Sequence, residues 1–196
     1  MTRHLLAFLS LVGLLSGPAR AQSTLDKYLK KSTPSASAVD RQSDPSGASI
    51  IFKGPEGYWR LDNTRSTGGF CAVTYYDGTS FAGYVGPTIG NTDAFILFSG
   101  PTIPAIQKEK KKKMALTTAD GKVQSVLAFH APNAQAKNSG IILFRLTDIQ
   151  AAMSDISDVE NLNVVMDMKQ VFVITWKGGD AARQGMQTCL NKAVAE

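Results

Sequence analysis

Residues 70–85 read FCAVTYYDGTSFAGYV, two runs rich in β-branched and aromatic residues on either side of Asp77-Gly78. Such side chains pack well on a pleated surface and favour extended backbone. An Asp-Gly pair between them is a strong hairpin signal, because a two-residue type I′ turn needs positive φ at both central positions. The stretch predicts antiparallel strands over 70–76 and 79–85.

The flanking sequence extends this pattern. Residues 50–53 and 58–61 border Gly54-Pro55-Glu56-Gly57, whose proline and glycines suit a chain reversal. Residues 94–98 are continuously apolar and predict a strand covered on both faces. Asp120-Gly121 repeats the hairpin logic between 114–118 and 122–130, and 140–146 is a further strand. Thr147 and Gln150 then have capping-box spacing, and a helix over 148–156 would align Ile149, Met153 and Ile156. Leu162, Val164, Met166 and Met168 alternate with polar Asn163 and Asp167, predicting a half-buried strand that turns at Lys169-Gln170 into 171–176. Gly178-Gly179 ends that strand, Asp180 reads as a helix N-cap, and a last helix carries Ala182, Met186, Cys189, Leu190 and Ala193 on its apolar stripe. The predicted class is α+β, a mostly antiparallel sheet or sandwich of about eight strands with two helices near the C-terminus.

The ends of the 196-residue chain read differently. Arg3 and His4 precede an apolar run over 5–15, followed by Ala19-Arg20-Ala21. This is the layout of a secretory signal, residues 1–21, cleaved after Ala21. The run is shorter than the roughly 20 residues a spanning helix needs, so no transmembrane segment is expected in the mature chain. Residues 22–48 are rich in Ser, Pro, Ala and charge, with almost no large apolar residues. They predict a flexible leader with a short helix over 24–31, ahead of a single β-rich domain over 49–196. At 43% hydrophobic and 19% charged, the chain has enough apolar content to bury a core.

Cys71 and Cys189 both lie beyond the predicted cleavage point. An even cysteine count in an exported chain argues for one disulfide rather than a metal site or catalytic thiol. Their separation excludes a CxxC oxidoreductase. The bridge would tie the closing helix to an early strand.

The formal charge of +5 falls to +3 once Arg3 and Arg20 leave with the signal. Residues 108–113, KEKKKK, supply +4 of it, so the basicity is one local patch: Lys108, Lys110, Lys111, Lys112 and Lys113. Charges this close together attract polyanions such as lipid headgroups or acidic envelope polymers. No aromatic residue interrupts the lysines to stack on bases, and nucleic-acid binding is not expected. The structural alternative is a solvated loop or a lysine-guarded sheet edge.

Other chemistry is sparse. His130 is the only histidine after the signal; it is expected at a strand end, partly exposed, opposite an apolar face made by Val123, Leu127 and Phe129. Asp77 and Asp120 suit turns, while Asp148 and Asp180 suit helix N-termini. A catalytic carboxylate pair would have to be assembled from remote positions. No cofactor or metal is expected, and Gly178-Gly179-Asp180 reads as a turn rather than a phosphate loop.

The predicted signal, Tyr58-Trp59 ahead of Cys71, and the order helix, strand, strand before Trp176-Lys177-Gly178-Gly179-Asp180-Ala181-Ala182 carry a likeness. Over roughly residues 57–192 the chain resembles small exported proteins of alphaproteobacteria, nearest the invasion-associated locus B family. That family has a richer cysteine pattern than Cys71 and Cys189. The resemblance implies an envelope location and a part in host association, and it carries over no catalytic residue. The expected function is a non-enzymatic periplasmic or secreted protein that binds an anionic envelope component, lipid headgroup or host surface through its lysines. The alternatives are a carboxylate-based periplasmic hydrolase assisted by His130, and a secreted inhibitor or chaperone-like module that binds a protein partner.

Overall fold

The computed structural model describes residues 48–63, 69–88 and 93–192. The predicted signal, the leader up to residue 47, its short helix and Ala193 lie outside them. Ten strands and two helices follow in order: β1 (Ala48–Lys53), β2 (Tyr58–Asn63), β3 (Phe70–Tyr76), β4 (Phe81–Thr88), β5 (Ala94–Ser99), β6 (Lys110–Thr117), β7 (Val123–Pro132), β8 (Gly140–Leu146), α1 (Ile149–Ser154), β9 (Glu160–Met166), β10 (Lys169–Trp176) and α2 (Gly179–Lys192). All pair antiparallel in one sheet of order β1-β2-β3-β4-β5-β8-β7-β6-β9-β10. The α+β class holds, with ten strands in place of about eight.

The sheet rolls until its two ends meet through side chains. Trp59 on β2 and Trp176 on β10 pack edge to face at 5.3 Å between ring centroids, and both are fully buried. Each indole N–H finds an acceptor, Trp59 Nε1 donating to Lys177 O at 3.0 Å and Trp176 Nε1 to Ser157 O at 3.2 Å, as buried indoles generally require. Gly178, at φ +80°, lies so close to Phe52 of β1 that a β-carbon there would meet its ring at 2.4 Å.

The rolled face holds the main core. It gathers Val73, Ile96, Phe98, Met114, Phe144, Val164 and Phe172 from six strands, with Met153 of α1 and Met186 of α2. A second buried cluster, including Phe70, Phe95, Leu97, Ile141 and Leu143, lies on the opposite face. β5 contributes to both, Ala94, Ile96 and Phe98 to one and Phe95 and Leu97 to the other. That division explains its unbroken apolar sequence.

Cys71 of β3 and Cys189 of α2 are bonded, with Cα atoms 5.9 Å apart and a separation of 118 residues. Both are buried. The bridge sits where α2 packs over the sheet: Gly86 of β4 has Leu190 and Met186 about its Cβ position.

Four local expectations are corrected. The 76–81 connection is a four-residue loop rather than a two-residue turn: Asp77 Oδ1 accepts from the N–H groups of Thr79 at 2.9 Å and Ser80 at 2.7 Å, and only Gly78 has positive φ. Asp148, not Thr147, caps α1, accepting from Gln150 N at 2.7 Å. Asp180 lies in the first turn of α2 instead of at its cap; its N–H donates to Asp158 Oδ1 at 3.2 Å, so the α1–β9 loop supplies the acceptor. The β9–β10 reversal falls at Asp167-Met168 rather than Lys169-Gln170, with φ of 52° and 62°. Met168 is therefore 98% exposed and not part of a strand.

Candidate functional site

Four of the five lysines lie in β6 and Lys108 precedes it, exposed. Their register against β7 is Lys110 to His130, Lys111 to Phe129, Lys112 to Ala128 and Lys113 to Leu127. On its other side β6 pairs with β9 only through residues 114–117. The lysine half of the strand thus has no second strand partner among the described residues. The run is neither a free loop nor a whole edge strand; it is an edge for half its length, the position where lysines discourage sheet-to-sheet pairing.

Alternation divides the run between two faces. Lys110 and Lys112 share the face of Met114, which enters the core, whereas Lys111 and Lys113 share the outward face of Ala115. Lys112 Nζ is 2.5 Å from Asp167 Oδ2 at the β9–β10 turn. Lys111 Nζ lies 5.3 Å from the Phe129 ring centroid, a cation–π arrangement. Lys108, Lys110, Lys111 and Lys113 are exposed. Alternate residues on a strand are about 6.8 Å apart, less than the Debye length of about 8 Å at physiological salt, so an approaching anion feels their charges together.

The same outward face carries apolar side chains. Leu127 stands opposite Lys113 and is 62% exposed. Val123 of β7, opposite Thr117, is also 62% exposed, and Val173 of β10, opposite Asn163, is 41% exposed. This overturns the expected orientation of β7: Val123 and Leu127 point outward, while Ala128 and His130 are buried. Cross-strand register decides the matter, because His130 sits opposite Ile142, a core residue. The sizes of its own side chains give the opposite answer.

His130 is 3% exposed, not partly exposed as expected, and its Nε2 donates to Pro104 O at 2.8 Å. Its Nδ1 has no hydrogen-bond partner among the described residues. The ring approaches Gly140 so closely that a β-carbon there would meet Nε2 at 2.6 Å. No carboxylate or nucleophile is hydrogen-bonded to this histidine among the described residues. Among those residues, no group of three or more His, Cys, Asp or Glu side chains is placed to hold a metal ion.

Several acidic residues are held by partners in the structure. Lys122 beside Asp120, together with the Thr118 hydroxyl, holds the Asp120 carboxyl down at about 2, and Thr118 Oγ1 donates to it at 2.6 Å. Glu160 is buried and accepts from Ala119 N at 2.7 Å and Asn161 N at 3.0 Å. Asp180 pairs with Arg183. The N–H groups at the start of α2 face Asp158, since Gly179 N donates to Asp158 O at 3.0 Å, which agrees with a structural turn there. The aromatic residues Trp59, Tyr75, Tyr76, Tyr84 and Trp176 are buried.

Among the described residues, no helix is long and apolar enough to cross a membrane. Compared with protein-family models, curated proteins and solved structures, the chain matches none of them.

Proposed function

We propose that this is an exported envelope protein of a Gram-negative bacterium that docks on a phosphate-bearing lipid headgroup layer through the outward face of β6 and β7. The observation that carries the reading is the side-by-side placement of Lys111 and Lys113 with exposed Leu127 on one sheet face. Lysine stems lie along apolar surface while their ammonium groups reach the phosphates, and the aliphatic tips beside them gain from leaving water at the headgroup boundary. Each lysine near an anionic surface is worth about 1 kcal/mol. Lys111 and Lys113 acting together correspond to roughly thirtyfold in affinity.

The disulfide supports delivery to an oxidising compartment, where such bonds persist. The likeness to the invasion-associated locus B family belongs to the same reading and would place the protein in the periplasm or outside the cell, with host association as its setting. The reading gives the protein a binding role without catalysis.

Flotation with vesicles of phosphatidylglycerol and phosphatidylcholine, against phosphatidylcholine alone, tests the proposal. The expected result is binding to the anionic vesicles only, weakening steeply as salt is raised. Equal binding to both, or binding indifferent to salt, contradicts it. Salt-insensitive co-purification with a single protein would favour an inhibitor or chaperone-like module instead.

A further inference from the structure

A second surface feature lies at one end of the sheet, where the β3–β4 loop, the end of β5 and the β7–β8 connection come together. A cleft of about 320 Å³ opens there, lined by Phe81, Ser99, Asn133, Gln135, Asn138 and Ser139 among others. Its volume is at the low end of the range for ligand sites, about 300 to 1,000 Å³. No acidic, basic or histidine side chain lines it. The polar groups are amides and hydroxyls, which offer donors and acceptors together.

The wall is fixed without a ligand. Asn133 Nδ2 donates to Ser99 Oγ and to Ser139 Oγ, each at 3.1 Å. Asn133 Oδ1 accepts from Gln135 N at 3.0 Å and Ala136 N at 3.2 Å. All four bonds of this amide are thus spent on holding the 133–139 loop against the end of β5. Ser99 and Ser139 are 4% and 5% exposed. Ser99 Oγ accepts from Asn133, and its own hydrogen has no acceptor among the described residues, which leaves a nearly buried donor at the cleft wall. The Asn138 side chain is exposed and has no hydrogen-bond partner among those residues. Phe81, packed on Tyr76 at 5.4 Å between centroids, supplies an aromatic surface beside these groups.

We infer that this cleft binds a neutral, hydroxyl-rich ligand: one or two sugar units of an uncharged glycan. Sugar hydroxyls donate and accept at once and match an amide–hydroxyl lining. The C–H faces of a pyranose ring suit Phe81, and nothing in the lining compensates the desolvation of an ion. None of the five lysines lines the cleft, and the inference does not depend on the lysine face.

Amide NMR titration of the full mature chain with maltotriose and with triacetylchitotriose tests the inference, with inorganic phosphate as the contrasting probe. At least one saccharide should give saturable shifts confined to residues 79–81, 99–101 and 133–139, with Kd on the order of 1 mM or tighter. Asn138→Ala, at an exposed position, should weaken it several-fold, as loss of one hydrogen bond does. Ser99→Ala should do the same, and if that variant fails to fold, Asn138→Ala decides alone. Replacing the five lysines should leave the affinity unchanged. No saturation with either saccharide, equal binding of phosphate, or indifference to Asn138→Ala overturns the inference.

Discussion

Tyr84 is buried in the main core, and that burial raises its phenol well above the ordinary range, with the carboxylates of Glu160 and Asp155 adding to the effect. Burial likewise raises Tyr58 and Tyr75, more modestly. A phenol whose folded value lies above its unfolded value of about 10 stabilises the fold fully below that pH, and the contribution is lost as pH rises further. Urea midpoints should therefore fall as pH rises past about 10, and Tyr84→Phe should flatten the fall without abolishing it, because Tyr58 and Tyr75 persist. A Tyr84→Phe profile parallel to that of the unsubstituted protein would contradict this. His130 belongs to the same scale. Reading it as a strand-end residue missed its burial because the groups that enclose it, Pro104 and Gly140, are remote in sequence.

Among the elements, strands were the most legible part of the chain. Each of the ten has its counterpart in a β-rich run, since period-two alternation and turn residues are local properties. What is decided between strands was not legible. β7 turns Val123 and Leu127 outward because β6 and β8 fix its register. The β9–β10 turn carries no glycine, yet both central residues adopt positive φ; the Asp-Gly rule predicted a two-residue turn at residue 77, where the loop has four residues, and overlooked the two-residue turn at residue 167. Left-handed backbone is costly for methionine, by about 1 kcal/mol relative to glycine, and the exposed Met168 side chain offers little packing in return. Met168→Gly should raise stability by about 0.5 to 1 kcal/mol, read as a higher urea midpoint with unchanged slope. A lower midpoint would mean that this side chain contributes to the fold in spite of its exposure.

At the scale of the molecule, the rolled sheet is closed by the Trp59–Trp176 contact and clamped by Cys71–Cys189. The pairing was legible because two cysteines admit one intramolecular bridge. Replacing both with serine should cost about 4 to 5 kcal/mol through the freedom regained by a long unfolded loop, measured by denaturation of the variant beside the intact protein. A loss below about 1 kcal/mol would show the clamp to be dispensable. The lysine run was visible in the sequence, but its half-paired strand and the aliphatic residues beside it came from cross-strand register. The polar cleft was not foreseen at all, because it joins three loops whose Ser, Asn and Gln residues each read as ordinary turn chemistry.

The central functional claim rests on charge presented by one half of β6, and the most direct measurement compares the native chain with a variant carrying serine at Lys108, Lys110, Lys111, Lys112 and Lys113 on the same phosphatidylglycerol vesicles. The account predicts that the variant, folded by circular dichroism and with its disulfide intact, loses vesicle binding by roughly thirtyfold or more. Retention of native affinity by that variant would contradict it.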